Sequence, residues 1–299
     1  MSAVAGMRYY GAIFWLSLVT FAVPLVVAFK AFDAVRPTTK PTPNPDASGV
    51  DHALWDYLLK AHVENGQVDY DGMARDHLFR TYLRQIGSAR PCDLATRDEQ
   101  LAFYCNAYNA LVINGVIIHR IKDSVMSYKH AGVGFFDAKE HLVAGKTVSL
   151  NDLEHKIIRP TFDDPRVHFS LVCGARGCPP IRPEAYCGRC LNLQLDDQAS
   201  QFCNNPKSVA YDAPRGAVVL NPIVKWYADD WKARGGVLPW LAGRVDDAAL
   251  RDALRRAAEG KAAVAYSDYD WALNSRDASP TTAGEAKSAN FGSGTVPNQ

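Results

Sequence analysis

From Asp51 onward the apolar positions fall at helical spacing. Trp55, Leu58 and Leu59 share a face with His52 and His62, which predicts a helix ending near Val63, closed by Asn65 and Gly66. Leu78, Tyr82 and Ile86 form one stripe and predict a second helix over about 72–86. Thr96 and Glu99 make a capping box ahead of a long apolar run, so a third helix is expected over about 98–120. Its stripe is Leu101, Tyr104, Cys105, Tyr108, Leu111, Val112 and Val116, and a neighbouring row holds Ala102, Asn106, Asn109 and Ile113. A buried amide must find partners, so the two asparagines are expected to bond to a loop or to form part of a pocket wall.

The second half of the chain alternates shorter patterns. Residues 140–148 predict two short strands joined around Ala144 and Gly145, with Glu140 and His141 on an exposed strand. Ser149 and Asp152 cap a helix that carries Glu154 and His155 and is expected to stop before Pro160. Residues 166–172 alternate as a strand, with Val167, Phe169 and Leu171 on one face and His168, Ser170 and Val172 on the other. A helix follows over 191–203, a hairpin over 208–220 about Ala213 to Gly216, and helices over 223–232 and 247–258. No internal repeat is evident. The fold class this predicts is α+β: a single domain, mostly helical in its N-terminal half, with small antiparallel strands and hairpins, preceded by one N-terminal transmembrane helix.

That last element is residues 11–29, an uncharged run of 19 residues after a short flank at 1–10. At about 1.5 Å per residue it spans roughly a bilayer's hydrocarbon core. A membrane anchor is expected; the competing reading is a cleaved leader, with Val26 to Ala28 as a small-residue cleavage site. The proline-rich stretch within 30–50 has no apolar face to bury and reads as an extended linker. The globular domain is expected over 51–275, and 276–299 lack apolar content and read as a disordered tail.

Charge adds an exclusion. Lys plus Arg number 33 against 32 Asp plus Glu, so no basic excess points to nucleic acid, and none is expected as a partner. All seven cysteines lie beyond the apolar run, four of them between 173 and 190. Such a cluster fits an oxidising compartment, which places the globular part outside the cytoplasm: periplasmic, luminal or extracellular. An odd count leaves at least one thiol unpaired within the chain.

The candidate chemistry centres on residues 166–180. Cys173 read as a nucleophile needs a base within hydrogen-bond reach and donors for a developing oxyanion. His155 and His168 are the candidate bases. Strict strand alternation sets His168 on the face opposite Cys173, which favours His155, with Glu154 or Asn106 as orienter and Asn106 also a candidate oxyanion donor. Gly174 and Gly177 allow a ligand close to the backbone. The competing reading is a Cys173–Cys178 disulfide that closes a tight loop, with His168 a core histidine. Cys187 and Cys190 have zinc-knuckle spacing and also fit a small bridged loop or a redox pair. No metal site and no cofactor is assigned. Lys225, Trp226 and Tyr227, and further on Tyr269, Asp270 and Trp271, are aromatic clusters with charges that serve either as core or as ligand-stacking surface. Asp229 and Asp230 beside Trp231 are candidates to pair with other acids for hydrolysis, though no spacing rule singles them out.

The motifs LAFYCNAYNALVI at 101–113, SLNDLEHKIIRP at 149–160, VHFSLVCGARGCPPIRPEAY at 167–186, VKWYADDW at 224–231 and YDWALN at 269–274 resemble the uncharacterised family called domain of unknown function 547. The resemblance covers roughly 51–275. It sets Asn106, Ala107, Tyr108, Asn109, Glu154, His155, His168, Cys173, Cys178, Pro179 and Pro180 on motif positions. Cys105, Cys187 and Cys190 depart from the family's usual residues. The mixture of helices and short strands has a fold-level likeness to papain-like cysteine hydrolases. Two functions are therefore carried forward. One is a thiol-dependent hydrolase or acyltransferase acting on an amide or ester, using Cys173, His155 or His168, Asn106 and Glu154. The other is a non-catalytic, disulfide-stabilised module that binds a peptide or polymer, with Tyr108, Asn109, Gly174, Lys225, Trp226 and Tyr227 as contact residues.

Overall fold

The helix Arg97–Ile118 runs through the middle of the molecule. Thr96 and Glu99 close the expected capping box at its start. Leu101, Phe103, Ala107, Leu111 and Val116 bury different sides of it, so no single stripe faces a core. It is long and apolar enough to cross a bilayer, but 78% of its most apolar window is buried within the protein. The computed structural model describes residues 39–42 and 44–276. The expected transmembrane segment 11–29 and nearly all of the expected tail, 277–299, lie outside the described residues.

The helices His52–His62, Tyr70–Arg75 and His77–Ser88 pack around this central helix. Trp55 stacks on Tyr82 at 5.2 Å, which locks the first helix to the third. The single helix expected over 72–86 is in fact two. Asp76 ends one, through its N–H to the Gly72 and Met73 carbonyls, and starts the next by accepting the Leu78 N–H. Packing also begins slightly earlier than Asp51. The Asp46 carboxylate takes the Ser48 and Val50 N–H groups, and both of those residues are buried.

A second apolar cluster gathers Phe169, Phe202, Trp231 and Trp240 with Val218, Leu220 and Leu254. Burying each such side chain contributes about 1.5–3 kcal/mol. The helices Leu191–Cys203 and Ala248–Ala258 and a three-stranded sheet build it. In that sheet Val209–Asp212 and Ala217–Leu220 form the expected hairpin. Ala263–Tyr266 adds a parallel edge, with Val218 opposite Val264. The parallel pair needs a long crossover, and the helices Val237–Ala242 and Ala248–Ala258 supply it. The strands His141–Val143 and Lys146–Val148 pair as expected, turning at Ala144 and Gly145, both at positive φ.

Three further expectations are corrected. Residues 166–172 do not form a strand: Pro165–Phe169 is a 3-10 helix. Pro165 sits in its first turn, where its missing N–H costs nothing, and the Asp164 carboxylate accepts the Arg166 N–H at 3.0 Å. The helix that carries Glu154 does not stop before Pro160. It opens as a turn at Leu150–Asp152, widens to a π-helix over Leu153–Ile158, and closes as an α-turn over Arg159–Phe162. The Arg159 N–H reaches back five residues to the Glu154 carbonyl, so Pro160 falls in the first turn of a new segment. His141 is not exposed; at the start of the strand His141–Val143 it is buried, at 2% exposure.

Candidate functional site

Where the two clusters approach each other a cavity of about 50 Å³ opens. Glu154, His168, Cys173, Cys178, Tyr227 and Tyr269 line it, together with Tyr108, Trp226 and Trp271. Three local devices bring these side chains there. The wide π-turn presents Glu154 inward at 6% exposure. The 3-10 turn replaces strand alternation, so His168 and Cys173 line the same cavity. The segment 270–274 then holds the cysteine loop by backbone bonds: Arg176 donates to Ala272, Gly177 to Asp270, and Asn274 to Gly174. Gly177 is needed for this approach, because a Cβ there would lie 3.0 Å from the Asp270 backbone.

Cys173 and Cys178 are joined as a disulfide across that loop. The Cys173 N–H points at Cys178 Sγ at 3.1 Å, and the Tyr269 hydroxyl lies 3.1 Å from Cys178 Sγ and 3.3 Å from Cys173 Sγ. Cys187 and Cys190 form a second disulfide, away from the cavity lining. Gly188 between them lies so close to the central helix that a Cβ would meet Glu99 Cα at 3.0 Å. The four cysteines are thus paired locally rather than gathered in one cluster. Cys92, Cys105 and Cys203 are free. Burial pushes the Cys105 and Cys203 thiols up to about 12, which keeps them protonated and unreactive.

The polar end of the cavity is a chain of contacts. His168 Nε2 lies 2.7 Å from Asp230 Oδ2, and the Arg159 guanidinium grips the same carboxylate through two bonds of 2.8 and 2.7 Å. Burial alone would raise the Asp230 carboxyl, but the hydrogen bonds from His168 and Arg159, with the guanidinium charge, outweigh it and hold it well below the usual range. Donation from Nε2 leaves His168 Nδ1 as an acceptor. That atom is buried and has no hydrogen-bond partner among the described residues; it lies 3.9 Å from Glu154 Oε1. Glu154 itself accepts from the Tyr108 hydroxyl at 3.1 Å and from the Tyr227 hydroxyl. Burial raises both phenols well above the ordinary value, so they stay protonated donors.

The expected site residues therefore divide. Glu154, His168, Cys173, Cys178, Tyr108, Trp226 and Tyr227 share the cavity. His155 does not; it stacks on the Tyr227 ring at 6.1 Å, its Nδ1 2.6 Å from Arg159, and burial lowers its pKa. Asn106 spends its amide on both backbone groups of Tyr186, each at 2.8 Å. Asn109 likewise holds the Ser170 carbonyl and the Val172 N–H at 2.9 Å, the loop bonding the sequence predicted. Gly174 is buried at positive φ under Val125 and Val112, and Lys225 points its ammonium over the Tyr266 ring. Asp230 and Arg159 also stood in quoted motifs, but no spacing singled either out as a site residue. Tyr269 and Trp271 stood in a quoted motif, but nothing in the sequence tied them to the cysteines.

Fold and site together define a mixed α+β domain with an aromatic cavity closed by a cysteine-paired loop. Residues 92–203 match the family model described as "Protein of unknown function, DUF547". Glu154, His168 and both cavity cysteines lie inside the matched stretch, whereas Tyr227, Asp230 and Tyr269 lie beyond it. No curated protein and no solved structure matches the chain significantly.

Proposed function

We propose that the chain is a membrane-anchored, extracytoplasmic domain that binds a segment of peptide or polymer in the aromatic cavity. The observation that carries this reading is the cysteine loop: Cys173 and Cys178 are joined beneath Tyr269, which makes them a fixed wall rather than a source of thiolate. The uncharged run at 11–29 supports the anchor, and paired cysteines support an oxidising compartment. Tryptophan and tyrosine faces around a polar end are the usual composition of a ligand cleft. The test is titration of the detergent-solubilised full chain with short peptides and oligosaccharides, read by tryptophan fluorescence. Saturable change that is lost in Trp226→Leu supports the reading; a flat response to every member of the panel overturns it.

A second reading rests on one observation, that Cys173 and His168 line the same cavity. With the loop reduced, the chain would act as a thiol-dependent hydrolase or acyltransferase on an amide or ester, Cys173 attacking and His168 serving as base. Alkylation of Cys173 by iodoacetamide in native, unreduced protein separates the two.

A further inference from the structure

Glu154 Oε1 and His168 Nδ1 face one another across 3.9 Å, and both are acceptors in the tautomer that Asp230 imposes. Two buried acceptors at that spacing are satisfied together by one donor that carries at least two hydrogens. The Glu154 carboxylate has room for about four donors, and the Tyr108 and Tyr227 hydroxyls supply two. Among the described residues no lysine or arginine lines the cavity. Arg159 interacts with Glu154 through its charge, while its guanidinium bonds to Asp230 and lies 5.0 Å from the Tyr227 ring centroid. A buried carboxylate without a cationic partner is costly, and a cation that arrives with a ligand would offset that cost. The remaining walls suit such a group. Trp226, Tyr269 and Trp271 line the cavity with ring systems, and ring faces attract positive charge.

We propose, building on the binding reading above, that the cavity takes a primary alkylammonium, the end of a lysine side chain in a peptide. The nitrogen is seated between Glu154 and His168, and its stem leaves along the tryptophans. Size selects the stem. A cavity of about 50 Å³ admits the few atoms of an unbranched amine end, whereas an amino sugar presents a whole ring.

The experiment titrates the full chain with N-acetyl-lysine N-methylamide, its neutral counterpart N-acetyl-norleucine N-methylamide, and glucosamine, read by tryptophan fluorescence. The lysine derivative is expected to bind about tenfold more tightly than the norleucine one, the scale of a charge-assisted bond plus a cation–π contact. Glu154→Gln should abolish that preference. The comparison of ligands on the unaltered protein stands even if this variant fails to fold. Equal affinity for the charged and neutral ligands, no saturable binding of the lysine derivative, or tighter binding of glucosamine overturns the proposal. Equal binding of lysine and norleucine derivatives would leave the peptide-binding reading standing, so the two failures are distinct.

Discussion

The His168 imidazole and the Asp230 carboxylate are 62 residues apart in the chain and 2.7 Å apart in the fold. This contact joins the turn before the cysteine loop to the 3-10 segment Ala228–Arg234, and it sets which imidazole nitrogen faces the cavity. Because the folded Asp230 carboxyl is held below its usual 3.8, its contribution to stability is complete above that pH and is lost as pH falls beneath it. Asp230→Asn should therefore cost on the order of 1–3 kcal/mol at neutral pH. It should also flatten the loss of stability below about pH 4. Urea unfolding of the variant and the parent at pH 7 and pH 3 measures both effects.

His141 gives a pH dependence in a different window. Burial lowers its folded pKa to about 4 from 6.5; Glu140 opposes the shift and His119 adds to it. Above 6.5 both folded and unfolded forms are neutral. Between 6.5 and 4 the unfolded chain binds a proton that the folded chain refuses, so stability falls across that interval. The expected loss is on the order of 3 kcal/mol. His141→Leu should remove it, and a pH profile as steep as the parent's would contradict the assignment.

Asn109 ties the central helix to the loop ahead of Cys173 by bonds to Ser170 and Val172. Asn109→Leu keeps the volume but leaves a buried carbonyl and a buried N–H unpaired, at a cost of about 2–4 kcal/mol. Thermal unfolding should report this, and tryptophan emission from the cavity should shift even in the folded variant. An unchanged melting temperature would mean the amide has no such role.

Most of the helices were legible because their signals are local. Thr96 with Glu99, Ser149 with Asp152, and the turn at Ala144 and Gly145 each specify their geometry within a few residues. The partners of Asn106 and Asn109 could be anticipated in kind, since buried amides require them, but not by residue. What failed was decided by competition or by distance. The alternation at 166–172 looks like a strand, yet Pro165, the Asp164 cap and the Asn109 clamp claim the same backbone groups. The π-turn leaves no periodic trace, so neither the passage through Pro160 nor the inward aim of Glu154 was visible. The parallel edge Ala263–Tyr266 is exposed along its length and so lacks the half-buried pattern that marks a strand. Part of the site was legible as candidate residues within motifs. The residues that set its chemistry, Asp230, Arg159 and Tyr269, also stand in motifs, but only tertiary contacts tie them to the site.

Joining Cys173 to Cys178 closes a short loop and should stabilise the domain by about 2 kcal/mol. It also decides between a fixed binding wall and a reactive thiol. Peptide mapping by mass spectrometry, on full-length protein alkylated under native and then denaturing conditions without reductant, tests this most directly. The account predicts alkylation at Cys92, Cys105 and Cys203 alone, with Cys173 linked to Cys178 and Cys187 to Cys190. Stoichiometric alkylation of Cys173 in the native protein would contradict it.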